Sequence, residues 1–191
     1  MINRPSLSLF LTLVGITALG PMAVQLYIPS VPSIIKELNL TLSTAQIAFS
    51  SSLVTMGISM LFYGPLSDRY GRKLVLLCGT IIFIVGSLIA SISTDIYLLI
   101  LGRTLQSIGG AGGFVISRAI VRDIYGPKKA PRILATLITV FIIAPMIGVV
   151  FGGIITDFLG WRFIFYLSAF VGLIVLILII LFLNSIKQPK S

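Results

Sequence analysis

Long apolar runs broken by brief polar punctuation set the rhythm of this chain. Apolar residues dominate six stretches, at about 7–34, 43–63, 74–92, 96–119, 133–156 and 162–184. Each is long enough to cross a bilayer core, which takes roughly 20 helical residues. The connections are short: Lys36-Glu37-Leu38-Asn39, Asp68 to Lys73, Ser93-Thr94-Asp95, Arg122 to Arg132, and Asp157 to Arg162. The pattern predicts an all-α integral membrane fold, a single bundle of six transmembrane helices over residues 1–191.

Composition agrees. Hydrophobic residues make up 57% of the chain and charged ones only 10%, against roughly 25% charge in soluble domains. Arg4 followed by an apolar run looks at first like a secretory signal, but the run stays free of charge from Pro5 to Ile35 and contains Pro21, Pro29 and Pro32. It is too long for a signal and lacks a small-residue cleavage site, so it reads as a retained first span. The net charge of +9 comes in clusters between apolar runs and forms no stripe, which argues against a nucleic-acid partner. There is no histidine, and Cys78 is the one cysteine. No disulfide or Cys/His zinc site can form within one chain. No span holds a cluster of catalytic type, so neither an enzyme nor a bound metal or cofactor is expected.

Lysine and arginine asymmetry sets orientation. One side collects Arg4, Arg69, Arg72, Lys73, Arg118, Arg122, Lys128, Lys129, Arg132, Lys187 and Lys190, and the other has Lys36 and Arg162. Both termini are therefore expected in the cytoplasm. The stretch Gly64-Pro-Leu-Ser-Asp68-Arg-Tyr-Gly71-Arg-Lys73 also aligns with Gly153-Ile-Ile-Thr-Asp157-Phe-Leu-Gly160-Trp-Arg162 at an offset of 89 residues. Three helices separate the copies, and an odd number of crossings reverses direction, as a 3+3 inverted repeat requires. A chance match between two turns, where Gly and Asp are common anyway, is the alternative.

The loop from Gly64 to Lys73 resembles, at essentially every defining position, the signature G-x-L-[ST]-D-R-x-G-R-K of major facilitator superfamily transporters. Its residues have readable roles. Gly64 allows close helix approach, Gly71 permits a tight reversal, and Asp68 can cap the next helix while pairing with an arginine. A merely topogenic basic turn would explain Arg69, Arg72 and Lys73 but neither the glycines nor the aspartate. The resemblance implies a conformational latch between two halves of a transporter, with Asp68 and Arg72 as its central pair and Asp123 as a second partner.

The fourth span carries Leu101-Gly-Arg103-Thr-Leu-Gln106-Ser-Ile-Gly109-Gly110-Ala-Gly-Gly113, similar to the family's arginine-bearing helix. An arginine at that depth costs at least about 2.5 kcal/mol on insertion scales and faces a polar cavity or a partner. Gln106 and Ser107 share its face. The alternative is an arginine snorkelling to the interface from a helix that starts later. In the fifth span, Pro145, Gly148, Gly152 and Gly153 match a helix-packing motif of the superfamily's drug exporters, with Val149 where a second proline is usual. The first span, Gly20-Pro21-Met-Ala-Val-Gln25-Leu-Tyr27-Ile-Pro29-Ser-Val-Pro32, resembles that of bicyclomycin- and chloramphenicol-resistance drug/proton antiporters. Many of those have an acidic residue where this chain has Gln25, and glutamine cannot titrate. Gln25 can bind substrate through its amide or bridge two helices. Tyr27, Phe114, Met22 and Met146 are either cavity-lining or simply packed.

The resemblance as a whole implies export of drug-like small molecules in exchange for protons, with Gln25, Tyr27, Arg103, Gln106 and Phe114 as substrate-binding candidates. The partners implied are the bilayer of a cell membrane (the inner membrane in a bacterium), a small-molecule substrate and a second six-helix bundle. The chain stops at Lys187-Gln-Pro-Lys-Ser, where the family continues into a second bundle. It is therefore expected to be a truncated half or a half-transporter that dimerises. A non-transporting membrane protein with a structural or assembly role is the other reading.

Overall fold

The structure, a computed structural model, describes residues 7–183, and every long element among them is an α-helix. In chain order these are α1 (Leu7–Tyr27), a 3-10 turn (Ile28–Ser30), α2 (Val31–Glu37), α3 (Leu42–Tyr70), α4 (Arg72–Ser91), α5 (Ile96–Leu159) and α6 (Trp161–Phe182). Arg4, Lys187, Lys190, the last residue of the sixth expected span and the closing segment 187–191 lie outside the described residues.

Local chemistry fixes the helix ends. The Thr41 hydroxyl accepts a hydrogen bond from the Thr44 amide at the start of α3, and the Asp95 carboxylate accepts one from Leu98 at the start of α5, satisfying donors that a helix N-terminus leaves open. Gly71 (φ 91°, ψ 137°) separates α3 from α4, and Gly160 (φ 84°, ψ 158°) separates α5 from α6. Their amides donate to the carbonyls of Ser67 and Thr156 at 3.0 and 3.1 Å. Such dihedrals are open essentially to glycine alone.

Among the described residues, five helical segments are long and apolar enough to cross a membrane, where the sequence pattern gives six. The difference lies in α5. Its 64 residues would extend about 96 Å if straight, three times a hydrocarbon core. Gly126 interrupts it with non-helical dihedrals (φ 64°, ψ 175°). Both ends of α5 lie at the same end of the bundle, because Arg162, just past Gly160, donates to the Ser93 carbonyl, just before Asp95, at 2.9 Å. The chain therefore doubles back at Gly126, leaving a first arm (96–125) and a second arm (127–159) that contain the fourth and fifth expected spans.

Two connections are more helical than expected. Residues 122–132 are helical apart from the Gly126 break, with Pro127 placed where a first helical turn tolerates its missing N–H. The stretch Gly64 to Tyr70 extends α3 and is not a loop, so the reversal is confined to Gly71. Asp68 consequently caps nothing, and α4 starts on Gly71 with no side-chain cap. Nor does Gly64 serve close approach here: a Cβ on it would meet open space.

The interior divides into two apolar clusters. One contains Leu13, Ile16, Phe83, Ile116, Leu137 and Ile179, and the other gathers Leu26, Tyr27, Ile34, Leu99, Trp161 and Phe165. Large apolar side chains such as Leu61, Phe62, Val150, Phe158 and Leu181 point outward, as lipid-facing residues do. Lipid tails are as apolar as leucine, so close packing and interhelical hydrogen bonds must hold such helices together. Both occur between α1 and the first arm of α5: a Cβ on Gly20 would lie 2.8 Å from the Gly110 carbonyl oxygen, and the Thr17 and Ser117 hydroxyls bond at 2.9 Å.

Candidate functional site

Arg103 lies seven residues into α5 and is completely buried. It does not snorkel to the helix end. Its Nη1 donates to the Ala23 carbonyl of α1 at 3.2 Å and to Oε1 of Gln106, one turn on, at 2.9 Å. Gln106 in turn donates through Nε2 to the Ser87 hydroxyl of α4 at 2.9 Å. The guanidinium also lies 4.5 Å from the Tyr27 ring centroid, a cation–π contact strengthened by the burial of both groups. Nε and Nη2 have no hydrogen-bond partner among the described residues. The spacing of Arg103 and Gln106 was legible in the sequence; Ser87 and the Ala23 carbonyl, contributed by other helices, were not.

This network ties three helices to one charge, and no carboxylate joins it. Glu37 ends α2, Asp68 lies two residues from the end of α3, Asp95 caps α5, Asp123 is three residues before the Gly126 break, and Asp157 is two from the end of α5. Compensation for the guanidinium therefore comes from carbonyl dipoles and an aromatic face.

The other substrate-binding candidates are dispersed. Tyr27 is fully buried, stacked parallel to Phe49 at 6.3 Å and tilted against Phe165 at 6.5 Å, with its hydroxyl directed to the Ala45 carbonyl. Phe114 packs against Phe141 of the second arm at 4.1 Å and beneath the Arg118 guanidinium at 3.7 Å. Gln25 is half-buried against Gly148, where an added Cβ would come within 3.3 Å of its own. Met22 lines an apolar crevice with Leu19, Ala23, Leu26, Phe83 and Ser168, while Met146 is exposed. The structure thus joins Tyr27, Arg103 and Gln106 and leaves Phe114 and Gln25 apart from them.

In the second arm, Gly148 and Gly152 face α1. A Cβ on either would lie 3.0 Å from the Met22 oxygen or 2.6 Å from the Leu26 oxygen, so the helices touch backbone to backbone. Gly153 is looser, with its nearest neighbour at 3.8 Å, and Pro145 is half-buried within the arm.

Ion pairs occupy both ends of the bundle. At the Gly71 end, Arg72 pairs closely with Asp123 and only loosely with Asp68, at 3.8 Å, whose side chain is 71% exposed. The close partner is thus Asp123. Lys73 reaches the Ile180 carbonyl of α6 at 3.3 Å, and Arg69 lies over Tyr70. At the Gly160 end, Arg162 pairs with Glu37, Trp161 donates from Nε1 to the other Glu37 oxygen at 2.7 Å, and the Arg162 guanidinium lies 4.2 Å from the Trp161 ring centroid. Sequence reasoning missed this second cluster, although the chain's only tryptophan stood inside the repeated motif.

Comparison with known proteins fits this architecture. The chain is 32% identical to multidrug resistance protein D of Escherichia coli (strain K12), over 85% of its own length and 41% of the relative's. It is 31% identical to the bicyclomycin resistance protein homolog of Haemophilus influenzae, over its whole length and 48% of that protein's. It therefore spans about half the length of the curated relatives it matches. Among solved structures, the proton:xylose symporter XylE superposes with a TM-score of 0.80 over 91% of this chain and 44% of the symporter, at 15% identity, which speaks to fold alone. The family model for the Major Facilitator Superfamily matches residues 13–191. This multi-pass membrane chain belongs to the Major Facilitator Superfamily.

Proposed function

We propose that this chain is the amino-terminal six-helix bundle of a secondary transporter that exports drug-like small molecules in exchange for protons. The observation that carries the reading is the alignment of nearly the whole chain with resistance proteins at 31–32% identity. Transport by two bundles rocking about a shared site needs a second bundle, supplied by a further segment or by a second copy. Arg103, held with Gln106 and Tyr27, is the charged group at the centre of the site. Gln25 and Phe114 face the cavity once the second bundle closes it.

The Gly126 break supports counting the arms of α5 separately, as a six-crossing reading requires. The glycine turns at Gly71 and Gly160, 89 residues apart and nearly alike in dihedrals and capping bond, support a 3+3 inverted repeat. The basic residues around Arg69 to Lys73 and Arg118 to Arg132 favour a cytoplasmic Gly71 end and an outer Gly160 end, a reading in which both termini are cytoplasmic and, in a bacterium, the inner membrane is the location. Asp68, exposed beside the Arg72–Asp123 pair, is then free to bind the second bundle in the inner latch.

Drug accumulation in cells tests the transport reading. Cells expressing this chain together with a carboxy-terminal bundle are expected to accumulate less drug than vector controls, and Arg103→Ala is expected to abolish the difference. Equal accumulation in all three would refute the proposal.

A further inference from the structure

The two ionic clusters are related by the same operation as the two glycine turns. At the inner end, the start of α4 is tied to the end of the first arm of α5 by Arg72 and Asp123, and to the end of α6 by Lys73 and the Ile180 carbonyl. At the outer end, the start of α6 is tied to the end of α2 by Arg162 and Glu37, and to the turn after α4 by Arg162 and the Ser93 carbonyl. Exchanging the two repeats maps each tie onto the other, and Lys73 and Arg162 are themselves 89 positions apart.

The outer cluster also has a packed route inward. Trp161, held by Glu37, meets Phe165 edge-on at 6.1 Å and 89°. Phe165 tilts onto Tyr27 at 6.5 Å, and Tyr27 lies against the Arg103 guanidinium. Trp161, Phe165 and Tyr27 are all at most 2% exposed, so displacing one requires its neighbour to move.

We propose that Glu37, Trp161 and Arg162 are positioning residues for transport: they lock the outer ends of α2 and α6 and, through Phe165 and Tyr27, fix the buried Arg103. The inference rests on the inverted-repeat reading and on the orientation given above. Such a chain is a physical route for coupling, and it stands only if perturbing one end changes the other.

Cysteine labelling tests it in a Cys78→Ser background, which removes the exposed native thiol. Ser30 is fully buried and donates to the Tyr27 carbonyl at 2.6 Å, so Ser30→Cys reports on the outer end beside Tyr27. Ser67, 2% exposed beside the inner turn, gives a control reporter as Ser67→Cys. Membrane-impermeant maleimide is applied to both reporters in right-side-out and in inverted vesicles. Glu37→Gln and Arg162→Gln are each expected to speed labelling at position 30 roughly tenfold, the step that corresponds to about 1.4 kcal/mol, with position 67 unchanged. The double variant is expected to match the singles, because each already removes the whole pair. Trp161→Phe, which keeps the ion pair and loses one donor, is expected to have a smaller effect in the same direction.

Unchanged labelling at position 30 would overturn the proposal. So would equal acceleration at both reporters, the mark of general loosening, and so would labelling of position 30 from the inner side alone. Drug accumulation is measured separately, so failure of the transport reading and failure of the outer lock are distinguishable.

Discussion

Replacing Gly160 with alanine isolates one physical term. At φ 84° and ψ 158° an L-residue suffers backbone strain of about 1–3 kcal/mol. No atom of the described residues lies within 4 Å of where its Cβ would go, so no clash with them adds to that strain. Gly57 supplies the control: it too has open space around its Cβ but sits in mid-helix with helical dihedrals, where alanine stabilises by about 0.5–1 kcal/mol. At roughly 2–4 °C per kcal/mol for a chain of this size, Gly160→Ala is expected to lower the unfolding midpoint by about 2–12 °C, and Gly57→Ala to raise it by about 1–4 °C. Thermal unfolding of the purified chain in detergent, followed by circular dichroism, gives both values. Gly71→Ala, at φ 91° and buried where Gly160 is exposed, should lose at least as much as Gly160→Ala. An unshifted midpoint for Gly160→Ala, or a loss for Gly57→Ala as large as that of the turn variants, would refute the conformational argument.

Other substitutions separate neighbouring interactions in the same melt. Gln106→Leu removes the acceptor of the buried guanidinium and is expected to cost about 1.5–3 kcal/mol, against about 1 kcal/mol for Ser87→Ala. Gly152→Ala drives a methyl to 2.6 Å from the Leu26 carbonyl and should destabilise strongly, whereas Gly153→Ala, with 3.8 Å available, should be near neutral. Arg72→Gln is expected to lose up to about 1 kcal/mol with Asp123, while Asp68→Asn, whose side chain is largely exposed, leaves the isolated bundle's stability unchanged.

What the sequence disclosed follows from the range of the interactions involved. Apolar runs depend on local composition, so the long apolar helices were readable, although five membrane-length segments stand among the described residues where six were expected and α3 runs on to Tyr70. The 89-residue echo was equally visible because it recurs in residue type. The continuation of α3 through Asp68 was hidden because Gly64 and Pro65 mimic a loop; proline lacks only its own N–H, and lipid-facing helices tolerate it. Partner choice was the least legible feature. Arg103 chose the Ala23 carbonyl, and Arg162 chose Glu37 across 125 residues, pairings that exist only after distant helices pack. Tyr27 shows the same limit: its type suggested a drug-facing ring, while its position makes it the stacking partner of an arginine.

Those partner choices bear on proton coupling. A coupling carboxylate must alternate between solvent access and burial, and three of the five acidic residues already have structural duties: Glu37 with Arg162 and Trp161, Asp123 with Arg72, and Asp95 at a helix cap, while Asp68 is largely exposed and only loosely paired with Arg72. Asp157 stays exposed near the end of α5, beyond the apolar interior. If the second bundle holds the proton carrier, amide substitution at any of the five leaves the coupling intact. In vesicles containing the assembled transporter, Glu37→Gln, Asp68→Asn, Asp95→Asn, Asp123→Asn and Asp157→Asn are each expected to keep drug transport driven by an imposed pH gradient, even where the rate falls. One result would move the carrier into this bundle: a variant that still equilibrates drug down its own gradient yet no longer responds to the pH gradient. Rate alone cannot make that distinction, since loss of a helix-end tie slows both kinds of movement.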